Sequence, residues 1–342
     1  MLVVDIETRS LAPIKTVGAW AYSRHKSTEP LCMCGTDPAT LESITVDFTS
    51  EVTDDQRAFF NDHEVKIAHN YAFEEAIFYN QLWNLGFLPP KGWLDTMDIC
   101  AYMGVPLSLA QACEFLFQDD EAIRKDAEGT KLKHKICVPR EGKFKSYTQE
   151  DYEGLMDYCM TDVEVTSQIF SEGKKYIPSE EWVVMKETHE MNFRGIPLRR
   201  DLIQTLFREY EESKQEIDLS KYGIENKDLK RNKYLQDKIK ELFDVEMPNM
   251  QAATVEGLIA DGNTPEGLKE ILECKQVFSA SSLAKLTKAW VLSDMQDVVR
   301  NSFQYHGAKT GRFAGRGVQP QNMPRGFKKD EDIYKALKEL GL

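Results

Sequence analysis

Residues 1–10 read MLVVDIETRS, and much later residues 158–162 read YCMTD. The first stretch ends an apolar run of strand length with two acidic residues, Asp5 and Glu7. Side chains alternate across a strand, so these two carboxylates share a face and lie close together. Carboxylates that close repel unless a proton or a divalent cation separates them. A strand-end acidic pair is often merely solvated, so its meaning depends on partners. Two follow in order. In AHNYAFEEAIF, residues 68–78, Asn70 to Glu74 come after a strand pattern and open a helix, with Glu74 near its first turn. In YCMTD, Tyr158 and Asp162 are four apart, hence stacked on one helix face. Asp5, Glu7, Glu74 and Asp162 are thus candidate oxygen ligands, with a tyrosine one turn from the last. Ligation by oxygen alone selects hard cations such as Mg2+ or Mn2+.

Around these residues the first part alternates strands and helices. MLVVDIE, LCMCGT, ITVDF and EVKIAHN are strand-length runs, and YAFEEAIFYNQLWNLG has helical spacing. DTMDICAYMG and SLAQACEFLF predict two helices separated by Pro106. Thr148 with Asp151 predicts a capping box opening a helix that runs through Tyr158 to Phe170. Pro178 and Ser179 mark a break, with Ser179 the expected N-cap. From there to about Val299 the pattern is helical and highly charged, interrupted by a Gly-Ile-Pro turn at 195–197 and opened again at Thr264-Pro265-Glu266. The expected organisation is therefore an α/β domain over 1–176, a helical region over 177–299 and a Gly-rich final segment over 300–342.

The 342 residues include 42% hydrophobic residues, enough for a core, and carry a net charge of −13. That balance argues against coating nucleic acid through bulk electrostatics. The cations are unevenly placed, however. From Val298 to Lys329 there are seven Lys or Arg and no Asp or Glu, and a second basic stretch, GTKLKHKICVPREGKFK, spans 129–145. The latter reads equally as a phosphate-contacting surface or as a solvated loop. No apolar run reaches the about 18 residues needed to span a bilayer. Asp5 excludes a signal peptide, and seven scattered cysteines suggest reduced thiols, so a cytoplasmic setting without membrane is expected. Cys32 and Cys34 lack a second Cys/His pair at zinc spacing and read as small residues on one strand face.

With these motifs in place, the chain resembles the DEDD superfamily of 3′–5′ exonucleases in its tyrosine variant. More closely, it resembles the proofreading domain of phage-type family A (Pol I-like) DNA polymerases. DIETRSL matches the first exonuclease motif, HNYAFE the second and YCMTD the third. The resemblance implies a ribonuclease H-like fold and hydrolysis with two divalent metal ions, Mg2+ or Mn2+. Asp5 would bridge both ions, Glu7 and Asp162 would complete the first site, and Tyr158 with Glu7 would orient the attacking water. Asn70 and Leu11 would contact the DNA strand, Leu11 as an apolar wedge against the terminal bases. The family's second motif usually carries Asp where this chain has Glu74, a change that a water-mediated ligand tolerates better than a direct one.

The later chain extends the resemblance. HEMNFRGIPL is similar to the junction that leads into the polymerase part, and the charged helices correspond to the thumb. FQYHGAKTGRFAGRGVQPQNMPR resembles the family's TGR…QN-P motif, the start of the polymerase palm. Lys309, Thr310, Arg312, Arg316, Gln321, Asn322 and Arg325 would then contact primer-template DNA. Arg can donate to minor-groove acceptors that every base pair presents in similar places, so such contacts need not depend on sequence. Only GFKKDEDIYKALKELGL follows, and its acidic residues open a short amphipathic pattern and not a palm strand. The expected partners are DNA and a second polypeptide bearing palm and fingers, with the palm elements near 300–325 left unpaired without it. Two alternatives stay open: a DNA-binding or assembly subunit with an idle exonuclease site, and a free-standing DEDD-type exonuclease or ribonuclease.

Overall fold

The alternation in LVVDIETR puts Val3, Asp5 and Glu7 on one face of a strand and Leu2, Val4 and Ile6 on the other. Both sets of apolar side chains are buried, in two separate clusters. This strand is therefore central. In the computed structural model, which describes residues 1–117, 127–278, 281–294 and 296–322, it is β1, Leu2–Arg9. It pairs antiparallel with β2 (Glu29–Thr36) and parallel with β4 (Val65–Ala68). β3 (Ser43–Asp47) and β5 (Gly92–Asp95) complete a mixed five-stranded sheet of order β3-β2-β1-β4-β5.

Helices follow the expected pattern, with some additions. α1 (Ile14–Arg24) and α2 (Asp54–Asn61) were not legible in the motifs. α3 (Ala72–Asn80), α4 (Thr96–Met103) and α5 (Leu109–Leu116) fall where helical spacing predicts them. α6 (Ala127–Ile136) occupies the front of the basic stretch, so that part is a helix and not a solvated loop. Its apolar residues Leu132 and Ile136 recur four apart and give it a face to pack, and Ile136 is fully buried. α7 (Gln149–Gly173) starts at Thr148 with the expected capping box. It lies on the sheet face carrying Val3, Cys32 and Cys34, burying Leu155, Cys159 and Val163. All seven cysteines are free thiols, and Cys32 and Cys34 share one strand.

α8 (Ser179–Arg194) opens one residue earlier than expected: Pro178 is the N-cap, and the Ser179 hydroxyl donates to Glu180. It ends at Gly195, whose φ of 69° no L-residue adopts comfortably and whose Cβ would stand 2.4 Å from Val298 Cγ1. β6 (Ile196–Pro197) then pairs with β7 (Val298–Val299), although a hundred residues separate them.

The described chain divides into two compact units, 1–198 with 291–322, and 199–290. The second is helical: α9 (Arg200–Gln215), α10 (Asn232–Phe243), α11 (Ala252–Ala260), α12 (Glu266–Phe278) and most of α13 (Ser281–Leu292). Leu229, Leu235, Ile239, Leu268 and Ile271 form its core. In the first unit, β8 (Phe303–Gln304) and β9 (Ala314–Gly315) form a hairpin, so the segment expected to lack strand partners pairs with itself. Among the described residues, no helix is long and apolar enough to cross a membrane.

Candidate metal centre and nucleic-acid interface

Asp5 and Glu7 leave β1 toward α7, where Tyr158 and Asp162 stack one turn apart. Carboxylate oxygens of Asp5, Glu7 and Asp162 all lie within 4.8 Å of one another. The Cys159 thiol donates to the Asp5 carbonyl at 3.4 Å and ties the two elements together. Glu74 enters from the start of α3. Its helix begins after Asn70, whose backbone is left-handed (φ 66°) and whose N–H donates to Asp95 Oδ1 at 2.8 Å. Asp95 also caps α4 through the Met97 N–H. The same side chain therefore ties Asn70 to the start of α4.

The four acids border a cleft of about 700 Å³, which is also lined by Leu11, Asn70, Phe73 and Lys133. Burial pushes the Asp5 carboxyl up to about 7, helped by the negative charges of Asp162 and Glu7. Glu74 is held well above the usual carboxylate range, first by burial and then by Asp5. Asp5 Oδ2 and Glu74 Oε2 are buried without a hydrogen-bond partner. Orphaned carboxylate oxygens lining one cleft suit a hard divalent cation, which would satisfy them and relieve their repulsion; Glu74, however, is not among the three acids whose oxygens lie within 4.8 Å of one another.

The candidate residues differ in setting. Leu11 is exposed at 42%, at the cleft and not in the core. Tyr158 is buried, and α6 lies directly over its ring: a Cβ on Gly129 would stand 2.1 Å from Tyr158 Cδ2. Lys133, unremarked within the basic stretch, donates from Nζ to Glu7 Oε1 at 2.7 Å. Desolvation of the ammonium against buried Glu7 disfavours its charge, yet Glu7 and Asp5 hold it well above the usual lysine range, although the side chain as a whole is partly exposed.

The final segment is arranged by its hairpin. Lys309, Thr310 and Arg312 are exposed in the loop between β8 and β9, and Gln321 and Asn322 are exposed beyond it. Arg316 is half-buried and engaged by protein: it donates to Gln304 Oε1 at 3.0 Å and Asn70 Oδ1 at 3.3 Å. Arg325 and the acidic residues 330–332 lie outside the described residues.

Away from this cleft, Asp95, Asp98 and His189 form a second group whose ligand-type atoms lie within 4.8 Å. His189 Nε2 and Asp98 Oδ2 are 2.8 Å apart. Burial opposes the imidazolium there, but the Asp98 hydrogen bond and charge outweigh it and raise the His189 value.

No protein-family profile matches the chain. It is 26% identical, over 364 aligned positions, to a DNA polymerase of Bacillus phage SP02. That alignment covers 99% of this chain and 54% of the phage protein, so the chain spans about half the length of the curated relative it matches. Among solved structures, the fold matches the POL domain of Pol1 from M. smegmatis in complex with DNA primer-template and dNTP. The TM-score is 0.54 at 14% identity, over 96% of this chain and 52% of that one.

Proposed function

We propose that this chain, a relative of the Pol I-like DNA polymerases along its whole length, carries a metal-dependent 3′–5′ exonuclease and a primer-template contact surface. The observation that carries the reading is the meeting of Asp5, Glu7 and Asp162 within 4.8 Å, with Glu74 on the same cleft. A mixed sheet with β1 at its centre is compatible with the ribonuclease H-like fold proposed for 1–176. The helical part of 177–299 is read as junction and thumb, and the segment from 300 as the start of a palm. Nucleotide addition, in this reading, requires palm and fingers in addition to this sequence, with a second polypeptide as one source.

The reaction is hydrolysis of the terminal phosphodiester. A water oxygen bonds to phosphorus, the bond from phosphorus to the neighbouring 3′ oxygen breaks, and that oxygen takes a proton. When bound, two Mg2+ or Mn2+ ions supply an acidified water and neutralise the leaving oxygen. Asp5, Glu7 and Asp162 are the residues that would hold them, with Glu74 as the further ligand. Leu11 and Phe73 offer apolar surface to the terminal bases, and Asn70 presents an amide beside them. Tyr158 would orient the water in concert with Glu7, which requires α6 to yield over its ring.

A 5′-labelled single-stranded oligonucleotide incubated with the chain and Mg2+ tests the reading. Shortening is expected, and Asp5→Ala with Glu7→Ala should slow it by about 10³-fold, a few kcal/mol of lost charge stabilisation. Equal rates in wild type and double variant would sink the assignment. Glu74 in place of the usual Asp favours a second reading, a DNA-binding subunit with an idle cleft. That subunit would bind the oligonucleotide and leave it intact. A free-standing nuclease leaves the alignment over 99% of the chain to a polymerase without an account.

A further inference from the structure

α6 is seated on α7 by two glycines. Gly129 lies against Tyr158, and a Cβ on Gly154 would stand 2.7 Å from Leu132 Cδ1. This seating carries Lys133 into the cleft, where Nζ meets Glu7 Oε1 at 2.7 Å and lies 5.6 Å from the Tyr158 ring centroid. The Glu7 side chain is 2% exposed, whereas that of Lys133 is 42% exposed. The ammonium thus bridges a buried carboxylate and open cleft, at the tip of a flexible four-carbon stem.

Four carboxylates line this cleft, and a DNA strand entering it brings further negative charge. A divalent ion taking Glu7 as ligand would compete directly with the ammonium for the same oxygens. Once displaced, Lys133 needs another anion within reach, and the one at hand is the strand's own phosphate. We propose that Lys133 is a phosphate-binding residue of the cleft, held on Glu7 until ions and DNA arrive and then paired with a non-bridging oxygen at the 3′-terminal linkage. This inference rests on the exonuclease reading above.

Lys133→Met keeps the length of the stem and removes the charge, while Lys133→Arg keeps the charge. At saturating Mg2+ and oligonucleotide, Lys133→Met should lower kcat by about 10²-fold, the usual cost of one donor to a charged reacting group, and Lys133→Arg should recover most of it. Binding of a single-stranded oligonucleotide in Ca2+, followed by anisotropy, should lose about 0.7 from its log–log salt slope in Lys133→Met, the share of one phosphate contact. Calorimetry with Mn2+ should show tighter ion binding in the same variant, because its competitor is gone.

Tighter Mn2+ binding with unchanged kcat and salt slope would overturn the proposal and leave Lys133 as a counter-ion alone. If wild type cleaves and Lys133→Met cleaves equally well, the proposal fails while the exonuclease reading stands. If wild type leaves DNA intact but Lys133→Met still flattens the salt slope, the phosphate contact stands and the exonuclease reading falls. Matching thermal unfolding of the Met and Arg variants checks that the fold is intact.

Discussion

Glu74 and Glu75 are neighbours on α3 with different surroundings. Glu74 lines the cleft that holds Asp5, whereas Glu75 lines a separate cavity of about 600 Å³ with Tyr79, Trp93, Trp182 and His189. Burial pushes the Glu75 carboxyl from its usual 4.5 up to about 8, and the charges of His189 and Arg300 only partly offset this. The folded state therefore holds a proton that the unfolded chain releases at lower pH. Stability from this group is fully present below pH 4.5 and is lost as pH rises to about 8. Glu75→Gln should remove that slope, a difference on the order of a few kcal/mol across the window. Urea unfolding of wild type and variant, in EDTA at several pH values, checks it; parallel stability curves would refute the assignment.

At the scale of elements, α6 and α7 make the pair on which the cleft depends. α7 is self-specifying, with Thr148 and Asp151 capping each other's backbone and a long apolar face behind them. α6 depends on its neighbour, because Gly129 and Gly154 set how closely the two can lie. Gly129→Ala would force a Cβ into the buried Tyr158 ring. Overpacking of this kind costs about 1–3 kcal/mol, and a unit of this size loses about 2–4 °C in Tm per kcal/mol. The drop should appear in thermal denaturation followed by circular dichroism. An unchanged Tm would mean that α6 sits farther from α7 than described.

At the scale of the whole molecule, the late segment returns to the early one. Asn192 Nδ2 donates to the Phe303 carbonyl, and Asn192 Oδ1 accepts from the Phe303 N–H. The Tyr305 hydroxyl donates to Glu181, and Arg316 reaches Asn70 at the cleft. Two arginines of one motif thus divide their work. Arg312, exposed in the hairpin loop, is expected to contact duplex; Arg312→Ala should reduce the salt slope of primer-template binding by about 0.9 with stability unchanged within about 0.5 kcal/mol. Arg316→Ala should instead cost about 0.5–1.5 kcal/mol by removing its hydrogen bonds to half-buried Gln304 and Asn70. Hydrogen exchange over 303–315 should rise in Arg316→Ala and not in Arg312→Ala. The reverse pattern would exchange their roles.

What the sequence determined by itself is what short periods encode. Two-residue alternation in LVVDIE set Asp5 and Glu7 on one face, a four-residue step stacked Tyr158 on Asp162, and Thr148 with Asp151 announced the helix carrying both. β5 and α1 escaped that reading. In GWLD the two apolar residues, Trp93 and Leu94, are adjacent and show no alternation, and a non-helical glycine, Gly18, interrupts α1. The tertiary structure alone decided that Lys133 meets Glu7 across 126 residues and that Arg316 meets Asn70 across 246. It also decided that Tyr158 lies beneath α6. Such contacts leave no local period in the chain, because packing between elements, and not the preference of any one of them, brings the groups together.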